Sequence, residues 1–535
     1  MKSILIFSFL LFSLSKCVDQ PLKEESYDEE TYFTTWATAI LSTEQPKLAL
    51  SNNSIRQIVH VSASGENIRL RLSNKLGSTD LVIKEVSIAD SLSQGTGEIN
   101  TNTSTPLTFK GEKGITIPAG EEMYSDKISY SLKSLSEIAI SIYFGDTPQR
   151  ISGHPGSRTF SFIEEGNKIN NQEFSKEYKI DHWYFISALE VSSYPRKKTI
   201  VCFGDSITDG QGSATDKQNR WTDLLATKLH LNLKTSEIAV VNKGINGNKI
   251  TTQGLERYSY DALDIKGVTY IMLLYGVNDI NLLNATASEV ISAYKQVIKE
   301  AHKKNIFIFA GTILPYRNFK RWTEERESYR QEVNNWIRNA KPSEGGFDAV
   351  FDYDKFMKDP NDETKLYSYY DSGDGLHPSP EGYQRIAQAI DNLELFTKEP
   401  HFEEEKEDDK GEDKEEGEMK IVDKVGIKFK LDFTINKDEE ISVNIKGKCE
   451  GSTGFRLLAS NDEGTKTSDY YYSGKIGEGN FEYSIKLKAN DNSNYIEIRR
   501  PLSTINIDNI TFNSIEVSVG ENNKVFKSIE EGILL

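Results

Sequence analysis

Residues Thr199 to Gly210 read TIVCFGDSITDG. Ile200 to Phe203 form an unbroken apolar run rather than an alternating one. A strand with that texture is buried on both faces, as in the parallel sheets of α/β proteins. Gly204-Asp205-Ser206 then supplies a polar turn that ends it. The same texture recurs in IAVVN, VTYIMLLY, NIFIFAGT and DAVFDY, with stretches of helical spacing between them. From Lys198 onward the chain therefore reads as an α/β region with a mainly parallel sheet. In ATASEVISAYKQVIKEAHKK, Thr286 can cap a crossover helix with Glu289 three residues on; a second helix opens at Ser379-Pro380. The region is expected to end near Phe396.

The flanks read differently. From about Tyr32 to Val191, short alternating runs such as IRQIVHVSAS and NIRLRLSN are broken by Gly, Asn, Ser and Pro, the pattern of an antiparallel β-sandwich. Beyond Phe396 comes HFEEEKEDDKGEDKEEGEMK, whose dense like charge predicts a solvated linker. A calcium-binding patch is the weaker reading, because no ordered ligand loop is visible. After Ile421, alternation returns in KIVDKVGIKFKLDFTI and INIDNITFNSIEVSV, predicting a second all-β unit.

The expected organisation is a signal peptide at 1–17, an N-terminal β-sandwich at 30–195, a central α/β domain at 196–397 and an acidic linker at 398–420. A C-terminal β-sandwich at 421–535 follows, a candidate carbohydrate-binding module. The signal peptide rests on MKSILIFSFLLFSLSKC, where one Lys precedes an apolar run too short to span a bilayer comfortably. Cleavage is expected near Cys17, which makes the mature chain a secreted one with no transmembrane segment. Lipidation of Cys17 is disfavoured by Lys16 directly before it.

A formal net charge of −17 over 535 residues argues against a nucleic-acid partner, which needs clustered Lys and Arg. Of the three cysteines, only Cys202 and Cys449 would remain after cleavage, in different regions, so no disulfide framework is expected. Sequons stand at Asn52, Asn102, Asn284 and Asn509.

Ser206 follows the first α/β strand, at the mouth where a parallel sheet places its ligands. A serine there is a weak nucleophile until a base takes its proton. Of the seven histidines, His60, His154 and His182 fall in the β-rich region, His230 and His302 in or near helices, and His401 at the linker. His377 stands apart in DSGDGLHPSPEGY, with Asp374 three residues earlier. That spacing lets a carboxylate reach the imidazole Nδ1–H. From this loop alone, an Asp capping its own turn beside a surface His is an equal reading.

An attacked carbonyl also needs donors for its oxyanion. Gly247 in VVNKGINGNKI and Asn278 in LLYGVNDI follow strand-like runs and can supply them, although each alone is ordinary turn chemistry. Asp205 and Asp209, flanking the serine, read as structural hydrogen-bonding residues. Trp221 reads as helix packing.

The ordered blocks GDSITDG, NKGINGN, YGVND and DGLHP resemble those of the GDSL or SGNH hydrolase superfamily. The resemblance implies a flavodoxin-like α/β/α fold and a catalytic set of Ser206, His377 and Asp374. It also implies an oxyanion hole from the Ser206 N–H, the Gly247 N–H and the Asn278 amide. Ile207 stands where the common form has Leu. WATAI, SGHPGSRT and HWYFISALEV look like the β-rich N-terminal region of a secreted GDSL-type subgroup. The α/β-hydrolase elbow G-x-S-x-G is absent around Ser206.

The implied function is a secreted serine esterase that works through an acyl-enzyme without cofactor or metal. A carbohydrate O-acetyl esterase on plant polysaccharide is the first reading, and Tyr470 to Tyr472 are candidate sugar platforms or, equally, core. A lipolytic esterase or thioesterase on longer acyl chains is the alternative, and a non-catalytic sugar-binding protein with a relict fold is the third. A monomer is expected.

Overall fold

The computed structural model describes residues 31–193 and 197–402, and beyond them the backbone of strands between residues 419 and 534. The expected signal peptide with Cys17, most of the acidic linker, the sequon at Asn509 and the side chains of Cys449 and Tyr470 to Tyr472 lie outside the described residues. The chain falls into two compact units that part at residues 404–405.

Five strands make the central sheet: β1 (Thr199–Gly204), β2 (Ala239–Gly244), β3 (Val268–Leu274), β4 (Phe307–Gly311) and β5 (Ala349–Phe351). All pair in parallel, in the order β2-β1-β3-β4-β5. β1 and β3 are buried along their whole length, which is why their sequences are unbroken apolar runs.

After β1 a one-turn helix α1 (Ser206–Asp209) leads to α2 (Trp221–His230). Between β3 and β4 runs α3 (Ala287–Lys303), between β4 and β5 runs α4 (Glu324–Asn339), and α5 (Pro380–Ala389) follows β5. The chain steps one way from β1 to β2 and the other way from β3 onward. Right-handed crossovers then put α2 and α3 on opposite faces. α5 packs on α2, and α3 on α4. The reversal between β1 and β3 is the switch point at which such sheets bind ligands.

Local chemistry sets these helices where the sequence places them. Thr286 and Glu289 form the expected reciprocal cap of α3, whose Val290, Tyr294, Val297 and Ala301 are buried. Ser379 caps α5 by accepting the Gly382 N–H, with Pro380 at the first helical position. Trp221 opens α2 fully buried and packs near Tyr353, as expected of helix packing.

Residues 31–193 are β-rich and antiparallel. One sheet joins Thr31–Ala37, Ile186–Ser193, Gly65–Ser73 and Glu122–Tyr124; another is built on Asn53–His60, Glu137–Phe144 and Leu81–Asp90. Phe33, Leu70 and Leu189 from the first meet Ile55, Ile140 and Val86 from the second in one buried cluster. A small third sheet contains Arg150–Pro155.

This region and the α/β sheet belong to the same compact unit. Thr31–Ala37 lies against the edge strand β2. The Val240 N–H donates to Ser62 Oγ at 2.9 Å, and buried Lys243 donates to the Thr38 carbonyl at 2.7 Å. A two-sided apolar core explains the union: Ala37 and Ala188 pack among the side chains of β1 and β3.

The packed chain also runs past Phe396. Phe402 stacks on His302 with ring centroids 3.9 Å apart, and its N–H donates to Asn305 Oδ1 at 3.1 Å. Phe402 thus packs on the α/β region although it falls within the stretch expected to be linker. The acidic composition of this stretch hid one aromatic anchor.

The described residues of the second unit, taken by itself, form two five-stranded antiparallel sheets. One is centred on Glu440–Cys449 between Ile510–Val519 and Gly479–Lys488; the other on Ser493–Arg499 between Arg456–Ser460 and Gly426–Ile435. Among the described residues, no helix is long and apolar enough to cross a membrane.

Candidate active site

β1 ends at Gly204, and Asp205 turns the chain by accepting the Ile207 N–H at 3.0 Å, capping α1. Ser206 thereby becomes the first residue of α1. Its Oγ lies 2.9 Å from His377 Nε2, and His377 Nδ1 lies 2.5 Å from Asp374 Oδ2. The carboxylate can only accept, so Nδ1 carries the proton in the neutral ring and Nε2 faces the serine hydroxyl as an acceptor.

The other Asp374 oxygen accepts the N–H groups of Leu376 and His377, each at 2.9 Å. The turn-capping and ring-orienting roles that the sequence left as alternatives are thus held by the two oxygens of one carboxylate. Burial works against its charge, yet these backbone and imidazole hydrogen bonds keep its pKa below the ordinary Asp value.

The His377 loop runs directly into α5, which packs on α2, itself against β2. Gly212 makes the approach close. It has φ +96°, and a Cβ there would lie 2.3 Å from the Pro378 carbonyl. Gly212→Ala is therefore expected to push His377 from Ser206 and lower kcat about tenfold or more, since small misplacements of reacting groups are costly. Steady-state kinetics on a soluble ester, with a thermal melt to show that the fold persists, checks this.

Gly247 and Asn278 flank the serine from either side. In the parallel register Gly204 pairs with Gly244 of β2 and Leu274 of β3, three and four residues before Gly247 and Asn278. Gly247, at φ +73°, occupies a turn closed by the Asn248 N–H on the Ile245 carbonyl. Asn278 donates one amide hydrogen to the Asn248 carbonyl at 3.1 Å, leaving its second available. Among the described residues no group accepts from the backbone N–H of Ser206 or of Gly247. The Ser206 and Gly247 N–H groups and the second Asn278 amide hydrogen are thus available as donors at the ends of β1, β2 and β3.

A family model described as the GDSL-like lipase/acylhydrolase family matches residues 202–385, which span all four blocks. The chain carries a GDSL-like lipase/acylhydrolase domain. Among solved structures it is similar to a lipase/acylhydrolase from Enterococcus faecalis, at 24% identity and TM-score 0.30, over 36% of this chain and 93% of that one. A GDSL-like lipase from Bacteroides thetaiotaomicron is similar at 20% identity and TM-score 0.29, over 36% and 85%. A member of the lipolytic G-D-S-L family from Veillonella parvula is similar at 20% and 0.27, over 37% and 98%. No curated protein matches the chain.

Within the GDSL domain, Arg257 ties the three loops together, a role that sequence reasoning missed. Its guanidinium donates to the Gly204 carbonyl at 3.0 Å, Asn248 Oδ1 at 3.0 Å, Tyr275 Oη at 2.5 Å and Asp261 at 2.9 Å. Tyr275 in turn donates to Asn248 Oδ1 at 2.6 Å. Nothing in LERYSYD marks that arginine, because the contact is made by tertiary packing. Cys202 is buried within β1, where desolvation pushes its thiol pKa well up, so it is inert. Among the described residues no group of His, Cys, Asp and Glu is arranged to hold a metal ion.

Burial pushes the Asp205 carboxyl up from 3.8 to about 7, aided by Asp279 and Asp209 nearby. The native value lies above the unfolded one, so the native state binds the extra proton between them. That stabilisation is full below about pH 4 and is lost as pH rises through about 7. Asp205→Asn removes it from the balance, so the fall in melting temperature between pH 5 and pH 8 is expected to be smaller in this variant than in the parent. Melts at the two pH values decide.

Proposed function

We propose that the protein is a secreted serine esterase that hydrolyses carboxylic esters through an acyl-enzyme. His377 Nε2 takes the proton of Ser206 Oγ as the oxygen attacks the acyl carbon, and Asp374 stabilises the imidazolium that results. The N–H groups of Ser206 and Gly247 and the Asn278 amide receive the oxyanion. The imidazolium then protonates the leaving alcohol, and water repeats the sequence in reverse to free the acid. The observation that carries this reading is the continuous Ser206–His377–Asp374 chain, at 2.9 and 2.5 Å, beside three available donors at the strand ends.

For the substrate we infer an O-acetylated carbohydrate of plant polysaccharide. Ser206 is only 2% exposed, which favours a small acyl group over a long chain. Tyr369 is 62% exposed and Tyr367 partly so. Both stand beside the His377 loop, since the Tyr369 and Tyr370 carbonyls accept Ser379 Oγ–H and N–H. Such faces suit the apolar side of a sugar ring. The β-rich N-terminal region we read as a sandwich, and the second unit as another that delivers the enzyme to polymer.

Acetylated xylan, acetylated pectin and triglyceride offered side by side, together with a chain-length series of nitrophenyl esters, test the substrate. Release of acetate from a polysaccharide is expected; a preference for long acyl chains would sink the acetyl reading in favour of a lipolytic one. Tyr369→Ala is expected to raise KM for acetylated polymer severalfold with KM for nitrophenyl acetate unchanged, measured on the same preparation.

A further inference from the structure

SGHPGSRT lies in the β-rich region, outside the residues the family model matches, yet one of its side chains reaches the machinery around Ser206. His154, on the strand Arg150–Pro155, is 3% exposed. Its Nδ1 lies 2.8 Å from the Ala39 carbonyl and its Nε2 3.0 Å from Asp209 Oδ1. A carbonyl only accepts, so Nδ1 carries a hydrogen. A neutral ring would then point the Nε2 lone pair at the carboxylate unless a proton lies between them. The Nε2–Oδ1 contact is therefore a hydrogen bond between two buried side chains.

Asp209 is the last residue of α1, one turn after Ser206. Its second oxygen, Oδ2, accepts the Asn246 N–H at 3.1 Å. Asn246 directly precedes Gly247 in the turn closed by Asn248. A continuous path thus runs from the Ala39 carbonyl through His154 and Asp209 to the Asn246 N–H, one peptide before the Gly247 N–H. The imidazole is held by its neighbours: its ring lies 6.0 Å from that of Trp183, which stands edge-on to Trp36 at 5.0 Å.

We propose that His154 is a positioning residue for the esterase reaction. Through Asp209 it fixes the Asn246–Gly247 turn where the Gly247 N–H meets the developing oxyanion. The β-rich region then contributes to catalysis and is not a detachable module. The inference rests on the esterase reading, because it gives Gly247 its role. Removing the imidazole leaves Asp209 Oδ1 buried without its donor, which loosens the grip of Oδ2 on Asn246. A misplaced oxyanion donor weakens the transition state more than the bound ester, so kcat falls while KM holds.

The test uses the full chain, nitrophenyl acetate and the variants His154→Phe, His154→Gln, Asp209→Asn and His154→Phe/Asp209→Asn, with Ser206→Ala as reference. His154→Phe is expected to lose about tenfold or more in kcat, less than the hundredfold or so typical of deleting a donor outright, with KM within about twofold. Glutamine, whose amide can donate to Asp209, recovers part of the loss, and the double variant is no slower than Asp209→Asn alone. Undiminished kcat in folded His154→Phe, a change confined to KM, or losses that multiply in the double variant overturns the inference. If His154→Phe fails to fold, wild-type kcat in Asp209→Asn overturns it instead. Activity surviving in Ser206→Ala defeats the esterase reading itself, whereas a dead Ser206→Ala beside a fully active His154→Phe leaves the esterase standing and removes only this role.

Discussion

Ser206→Ala is expected to lower kcat on nitrophenyl acetate at least about a thousandfold, the scale at which a catalytic serine acts. The fold should survive. Ser206 Oγ makes a single hydrogen bond, to His377, and alanine suits the first turn of α1 while Asp205 keeps its cap on Ile207. A circular-dichroism melt within a few degrees of the parent would confirm that the loss is chemical. The alternative of a relict fold that only binds sugar expects no change in whatever activity the preparation shows, so a single assay separates the two.

His377→Gln is expected to fall by a similar factor, for a different reason. Glutamine can still hydrogen-bond near Ser206, but it cannot take a proton from Oγ and return it to the leaving alcohol. What remains is the binding and oxyanion contribution. Because the two residues act as one unit, Ser206→Ala/His377→Gln should be no slower than the worse single variant. Asp374→Asn follows the same logic: an amide at Oδ2 no longer fixes the Nδ1–H tautomer, although the turn bonds to Leu376 and His377 can persist through the other oxygen. Multiplicative losses across the pair would mean that Ser206 and His377 contribute separately, which the geometry does not allow.

What could be read in the sequence was what is local. The unbroken run of β1 follows from burial on both faces, the Thr286–Glu289 cap from a spacing of three, and the Asp374–His377 contact from a single turn. GDSITDG, NKGINGN and YGVND each stand at the end of an apolar run, that of β1, β2 or β3, so Ser206, Gly247 and Asn278 can be grouped from the sequence. What could not be read depends on packing between distant elements. Arg257 meets the Gly204 carbonyl 53 residues away, and His154 meets Asp209 across 55. Neither spacing carries a period or motif. Gly212 carries no signal of its own in the sequence, because its reason is the carbonyl of Pro378 in the loop before α5. Phe402 was lost in acidic composition for the same cause.

The most direct measurement is the identity of the covalent intermediate. Acid quenching of the enzyme during turnover of nitrophenyl acetate, followed by peptide mass spectrometry, is expected to find one acetyl group on the peptide from TIVCFGDSITDG, carried by Ser206. The Gly212→Ala variant should show less of it at early times. An acetyl group on another residue, or turnover that persists in Ser206→Ala with no adduct at any time, would contradict the account.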